Sequence, residues 1–210
     1  MKTRSRLIAL VAILVLGALP LFAGTRIVFR WVLTGIPMPA VKKILIVGLT
    51  DNYLVRQEFE DKMEELLAKS GVTGIKSHMV FPPKNELMEG ELRQRIREST
   101  LDAVLVVRPK EVRQESQEVV TGGFYVPPPG YYTFWPYWNL AYTSVYSSAS
   151  YIKQNTVIRA ECNIYNVKDE KLIWSGESDT MLEKIFEKMG KGYAQSLYNQ
   201  LKKDKVISKK

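Results

Sequence analysis

The stretch Gly122 to Tyr151 reads GGFYVPPPGYYTFWPYWNLAYTSVYSSASY and holds half of the chain's Phe, Trp and Tyr residues. Val119 through Ile152 contains no Lys, Arg, Asp or Glu, so its chemistry is that of aromatic rings and backbone. Such rings suit three tasks: stacking on sugars, sitting at a membrane–water interface, or docking a protein partner. A flexible or self-packed loop is the plain alternative. Tyr and Trp outnumber Phe here, which favours rings that keep a polar handle in water over a lipid-buried wedge. The candidate partner-binding residues are Tyr125, Tyr131, Tyr132, Phe134, Trp135, Tyr137 and Trp138. Gly122-Gly123 and Pro127-Pro128-Pro129-Gly130 disfavour ladder hydrogen bonds and helix, so the segment is predicted to be an extended functional tip outside the core.

Other chemistry is sparse. Asp51 and Asn52 follow the first apolar run, at the end of a strand where ligands dock in open α/β sheets; both are also natural helix caps. Glu60-Asp61 and Glu64-Glu65 alternate with Lys62 and Lys69, the pattern of a solvated helix face. His78 is the only histidine and lacks the nucleophile elbow of a serine hydrolase; it is predicted to be a half-exposed strand residue. Cys162 is the only cysteine and alternates with Ile158, Ala160 and Ile164, which places it on a buried apolar face. One His and one Cys offer no metal-binding spacing, and no phosphate-binding glycine loop is present, so neither metal nor cofactor is expected.

The formal charge of +8 does not point to nucleic acid. Its excess sits in the two ends, Met1 to Val41 and Lys202 to Lys210, and the region between is nearly neutral. A nucleic-acid protein would concentrate Lys and Arg on its folded face. Residues 205–210 read as a basic, solvated tail. At the other end, Lys2, Arg4 and Arg6 precede an uncharged run from Leu7 to Thr25, the shape of a signal peptide. Cleavage after Ala23 or Gly24 would put Leu21 or Phe22 at the −3 position, where a peptidase prefers small residues. The run of 19 residues, at about 1.5 Å each, nearly spans a hydrocarbon core of about 30 Å. Residues 1–25 are therefore a signal peptide or signal anchor, and 26–41, with its two prolines, reads as a linker.

The domain is expected over 42–204. KKILIVGLT is a buried strand, and the residues after it carry Val55, Phe59, Met63, Leu66 and Leu67 at helical spacing up to Gly71. GIKSHMVF reads as a second strand, NELMEGELRQRIREST as a second helix, and LDAVLVVRPKEV as a third strand that continues into a charged extension. IKQNTVIRAECNIYNV is predicted to pair with that extension as an antiparallel ribbon, and NVKDEKLIWSG closes a hairpin. The last helix carries Leu182, Ile185, Phe186, Met189, Tyr193, Leu197 and Leu201 on one face and must be held by packing, since Gly190 and Gly192 each weaken it by about 1 kcal/mol. The fold class is α/β: a mixed five-stranded sheet of three parallel strands plus an antiparallel hairpin, about three helices, and the aromatic insertion 121–152.

KKILIVGLTDNYLVRQEFEDKMEELLAKSGV, LDAVLVVRPKEV, YVPPPGYYTFWPYW and CNIYNVKDEKLIWSGESDT together resemble a family of mostly uncharacterised bacterial envelope lipoproteins. That family is similar in fold to the amino-terminal domain of TolB and to the lipoprotein activators of penicillin-binding proteins. The resemblance implies an envelope location, inner-membrane-anchored or periplasmic, and brings no catalytic residues. Such lipoproteins carry a cysteine after a short apolar signal; none stands near Ala23, so an uncleaved helix is the expected anchor. The function expected is a non-enzymatic interaction module that binds an envelope protein or peptidoglycan through the aromatic insertion. A hydrolase-like site at the carboxyl ends of the parallel strands, near Asp51, is the alternative.

Overall fold

The computed structural model describes residues 24–80, 89–114, 126–146, 156–181 and 186–207. The expected signal segment lies almost wholly outside them, as does Tyr125. Among the described residues no helix is long and apolar enough to cross a membrane.

One mixed sheet of six strands organises the chain, in the order β1-β6-β5-β4-β2-β3. Strands β2 (Lys43–Gly48), β3 (Thr73–Lys76) and β4 (Ala103–Gln114) are parallel; β5 (Thr156–Asn166) and β6 (Leu172–Met181) continue the sheet antiparallel. The β4–β5 ribbon forms as predicted, from Ala103 opposite Asn166 out to Gln114 opposite Thr156. The sixth strand was not expected. β1 (Thr25–Val32) occupies the first part of the presumed linker and pairs antiparallel with β6, closing that side of the sheet. Its side chains are half-buried rather than buried, which left no strong hydrophobic alternation to read.

The described helices number five where about three were expected: α1 (Tyr53–Ala68), α2 (Ser77–Val80), α3 (Glu89–Glu98), α4 (Phe134–Tyr146) and α5 (Phe186–Lys203). Strand alternation sends Ile44, Ile46, Leu105, Cys162 and Ile164 to one face, where α1 and α5 supply Met63, Leu66, Leu67, Leu197 and Leu201. Leu45, Val47, Val104, Val106 and Tyr165 point to the other face, under α3 and α4. The architecture is therefore three-layered, with helices on both faces. Gly190 explains how α5 meets α1 without room to spare: a Cβ there would lie 3.0 Å from both the Val55 carbonyl oxygen and the Phe59 nitrogen. The expected solvated tail is corrected in its first residues, because Val206 and Ile207 are buried in the α1/α5 core. Asp204 ties the same end down, accepting from the Trp174 indole at 2.9 Å and pairing with Arg30 of β1.

Candidate functional site

Over its described residues, 126–146, the aromatic segment packs against the sheet instead of projecting from it. Pro128 leads into a single 3₁₀ turn, Pro129–Tyr131, and α4 follows directly. Pro136 is tolerated because it stands in the first turn, where backbone N–H groups lack intrahelical partners anyway. Phe134, Tyr137, Trp138 and Ala141 fall at i, i+3, i+4 and i+7, and all four are buried against the sheet. That spacing was present in the sequence and was the overlooked signal. Of the seven candidate contact residues, Tyr131, Phe134, Trp135, Tyr137 and Trp138 are buried, and Tyr132 is exposed at the margin, edge-on to Trp31 at 5.9 Å.

A buried polar node explains why this face accepts an aromatic helix. Arg108 and Glu161 are cross-strand partners on β4 and β5, and Arg108 Nε donates to Glu161 Oε1 at 2.7 Å. The remaining donors of Arg108 reach Ser144 Oγ at 2.7 Å and Tyr131 OH at 3.0 Å, and Tyr131 OH donates to Glu161 Oε2 at 2.9 Å. The segment thus satisfies a buried ion pair that would otherwise be costly. Burial, and then the Glu161 charge, push the Tyr131 phenol well above its ordinary range; burial does the same to Tyr137. Burial also raises the Cys162 thiol well above its usual value, which makes it an inert core thiol as the sequence implied.

A second buried node lies at the carboxyl ends of β2 and β3. Glu60, expected on a solvated face, is fully buried. It accepts five hydrogen bonds: from Gly48 N at 2.9 Å, Arg56 Nε at 3.1 Å, Ser77 Oγ at 2.6 Å, His78 N at 2.8 Å and His78 Nδ1 at 2.7 Å. One carboxylate thereby joins β2, α1 and α2. It also stops β3: the run predicted as a strand through Phe81 turns into α2 at Ser77, where the backbone and side chains bend onto Glu60. His78 is buried on that turn, not half-exposed on a strand. Arg56 Nη2 donates to Ser77 Oγ at 2.7 Å, so this hydroxyl is held between a guanidinium and a carboxylate. The clue in the sequence was that Arg56 and Glu60 share the helical stripe of Phe59 and Met63.

Above this node four large apolar side chains face solvent: Tyr53, Leu54, Met79 and Val80, at 42%, 65%, 73% and 39% exposure. The two pairs adjoin, since the Tyr53 ring stands edge-on to His78 at 6.4 Å. Asn52 caps α1 by accepting from Val55 N at 3.2 Å, and Asp51 beside it is exposed, its carboxylate 3.5 Å from the Thr50 hydroxyl. The geometry pairs Asp51 with no second carboxylate or imidazole within hydrogen-bonding distance among the described residues.

No family model and no curated protein matches the chain. Among solved structures, it is similar to the PelC dodecamer from Paraburkholderia phytofirmans, with a TM-score of 0.44 at 9% identity over 89% of this chain and 99% of that one. It is also similar to the lipoprotein GNA1162 from Neisseria meningitidis, with a TM-score of 0.38 at 11% identity over 68% and 82%. A PDZ domain protein from Parabacteroides distasonis gives 0.42 at 12% over 85% of this chain and 36% of that one. At scores this low no function is carried over from them.

Proposed function

We propose that this chain is a non-enzymatic interaction module of a bacterial cell envelope, anchored by or exported through residues 1–25, that docks a partner protein at Tyr53, Leu54, Met79 and Val80. The observation that carries the reading is that these side chains are exposed together at one end of the sheet, on backbone held by Glu60. Clustered apolar exposure on a rigid support is the signature of a contact surface. Its composition favours a protein over peptidoglycan. Sugar stacking needs flat ring faces, whereas Leu54, Met79 and Val80 are aliphatic and suit the apolar side chains of another protein. The rings expected to do the binding are mostly spent on the core, which moves the contact surface from the insertion to the strand ends. The envelope assignment rests on the signal-like amino terminus and on the resemblance to envelope lipoproteins, including their likeness to the TolB domain.

The test is site-specific photocrosslinking in intact cells. A photoreactive residue at position 54 or 79 should trap a discrete partner, and the same probe at Lys62 or Glu65, about two and three turns further along α1, should not. Equal trapping at all four positions, or none at 54 and 79, would sink the proposal.

A further inference from the structure

With residues 1–25 as the anchor of the preceding section, on which this inference rests, the register of β1 decides which end of the domain meets the membrane. The uncharged run ends at Thr25, and β1 begins at the same residue. No spacer separates the two: the last residue of the run is already paired with β6, Thr25 opposite Thr180, their hydroxyls 2.8 Å apart. A flexible linker would let the domain turn above the bilayer, whereas a residue fixed in a sheet ties the sheet's direction to the point where the run leaves the lipid. The pairing also fixes the level. Thr180 stands opposite Ile158, and Ile158 opposite Val112, so Thr25, Thr180, Ile158 and Val112 form one row across four strands at that end. Two exposed side chains stand there: Val112, and Arg26, the first charge after the run, whose long stem lets a guanidinium reach lipid headgroups. The other end of the same strands carries exposed Lys42 and Lys168. From Ile158 to Asn166 along β5 is about 27 Å, at about 3.4 Å per residue.

We propose that the end of the sheet marked by Thr25, Thr180, Ile158 and Val112 lies against the lipid headgroups, with the strands running away from the bilayer toward Lys42 and Lys168. The contact surface then opens toward the membrane as well. β2, which leads into α1, ends at Gly48, level with Val107 and Cys162, four residues along β5 from Ile158. Tyr53, Leu54, Met79 and Val80 are carried at that strand end, about 14 Å from the level of Thr25 along the strands. They stand about 19 Å to the side of β1, because β2 is four places from it in the sheet at about 4.8 Å each. The longer strands β4, β5, β6 and β1 thus hold the contact surface off the lipid while keeping it within reach of a protein carried at the same membrane surface.

The experiment uses the full chain in vesicles of phosphatidylethanolamine and phosphatidylglycerol, a fraction of them nitroxide-labelled on the headgroup. A fluorophore is attached to a single added thiol in Val112→Cys, Arg26→Cys, Lys42→Cys or Lys168→Cys; Cys162 is buried and stays unlabelled. The nitroxide should quench the probes at 112 and 26, and leave those at 42 and 168 as bright as in vesicles without it. Equal quenching at both ends, quenching confined to 42 and 168, or none at any position overturns the orientation while the chain still floats with the vesicles. A chain that does not float with them overturns the anchor and this inference with it. Neither result touches the contact surface, which the crosslinking at positions 54 and 79 tests separately.

Discussion

Phe134→Ala is the sharpest test of where the aromatic segment belongs. The ring is buried and lies 4.8 Å from Trp135, 5.8 Å from Trp138 and 5.4 Å from Tyr165, centroid to centroid. Truncating a core Phe to Ala typically costs about 3–5 kcal/mol, the lost transfer energy plus the cavity left behind. For a chain of this size each kcal/mol lowers the melting temperature by about 2–4 °C, so a fall of about 6–20 °C is expected. Leu140 lies on the same helix but is 48% exposed, and Leu140→Ala should stay within about 0.5 kcal/mol of the parent. The assay is denaturant and thermal unfolding of both variants, followed by near-ultraviolet circular dichroism. Replacing 126–146 with a Gly-Ser linker removes several such rings at once, which exceeds a typical total stability of about 5–15 kcal/mol, and should abolish the cooperative transition. If Phe134→Ala proves as mild as Leu140→Ala, or the linker variant still melts near the parent temperature, the segment is not core and the burial argument fails.

Other outcomes follow from the same contacts. Arg108→Met strands Glu161 in the core and should destabilise by about 3–5 kcal/mol in urea unfolding, with Arg108→Met/Glu161→Leu recovering much of the loss. Gly190→Ala should destabilise because its Cβ meets α1 backbone, whereas Gly192→Ala, with nothing within 4 Å, should gain up to about 1 kcal/mol in the same measurement. Asn52→Ala should lose about 0.5–2 kcal/mol as a cap, and Asp51→Ala should lose little by the same urea assay. Burial raises the phenols of Tyr131, Tyr137 and Tyr193, so the folded state holds these protons more tightly than the unfolded chain does. Their contribution to stability is present below about pH 10 and is lost as the pH rises above it. Phenolate absorbance should therefore show these tyrosines ionising only with unfolding, and a titration of all tyrosines in the folded state would refute the assignment.

The division between what the sequence determined and what tertiary structure decided follows the reach of each interaction. KILIVG and AVLVV are apolar without a break because helices cover both faces of the sheet there, and a strand buried on both sides is legible from composition alone. The periods of α1 and of β5, and the burial of Cys162, were likewise written locally. β1 was not, because a half-buried edge strand just after a long apolar run looks like spacer. The stripe Phe134, Tyr137, Trp138 and Ala141 was local too, but Pro and Gly ahead of it and the missing charges argued for exposure. Only the sheet decided otherwise, by presenting Arg108 and Glu161 for Tyr131 and Ser144 to satisfy. Glu60 is the clearest case. Its place on the stripe of Phe59 and Met63 marks it off from its acidic neighbours, but most of the groups that make its burial tolerable come from Gly48, Ser77 and His78, brought to it by strand order and not by sequence. A buried carboxylate is stable only when its donors arrive together, and that coincidence exists only in the folded chain.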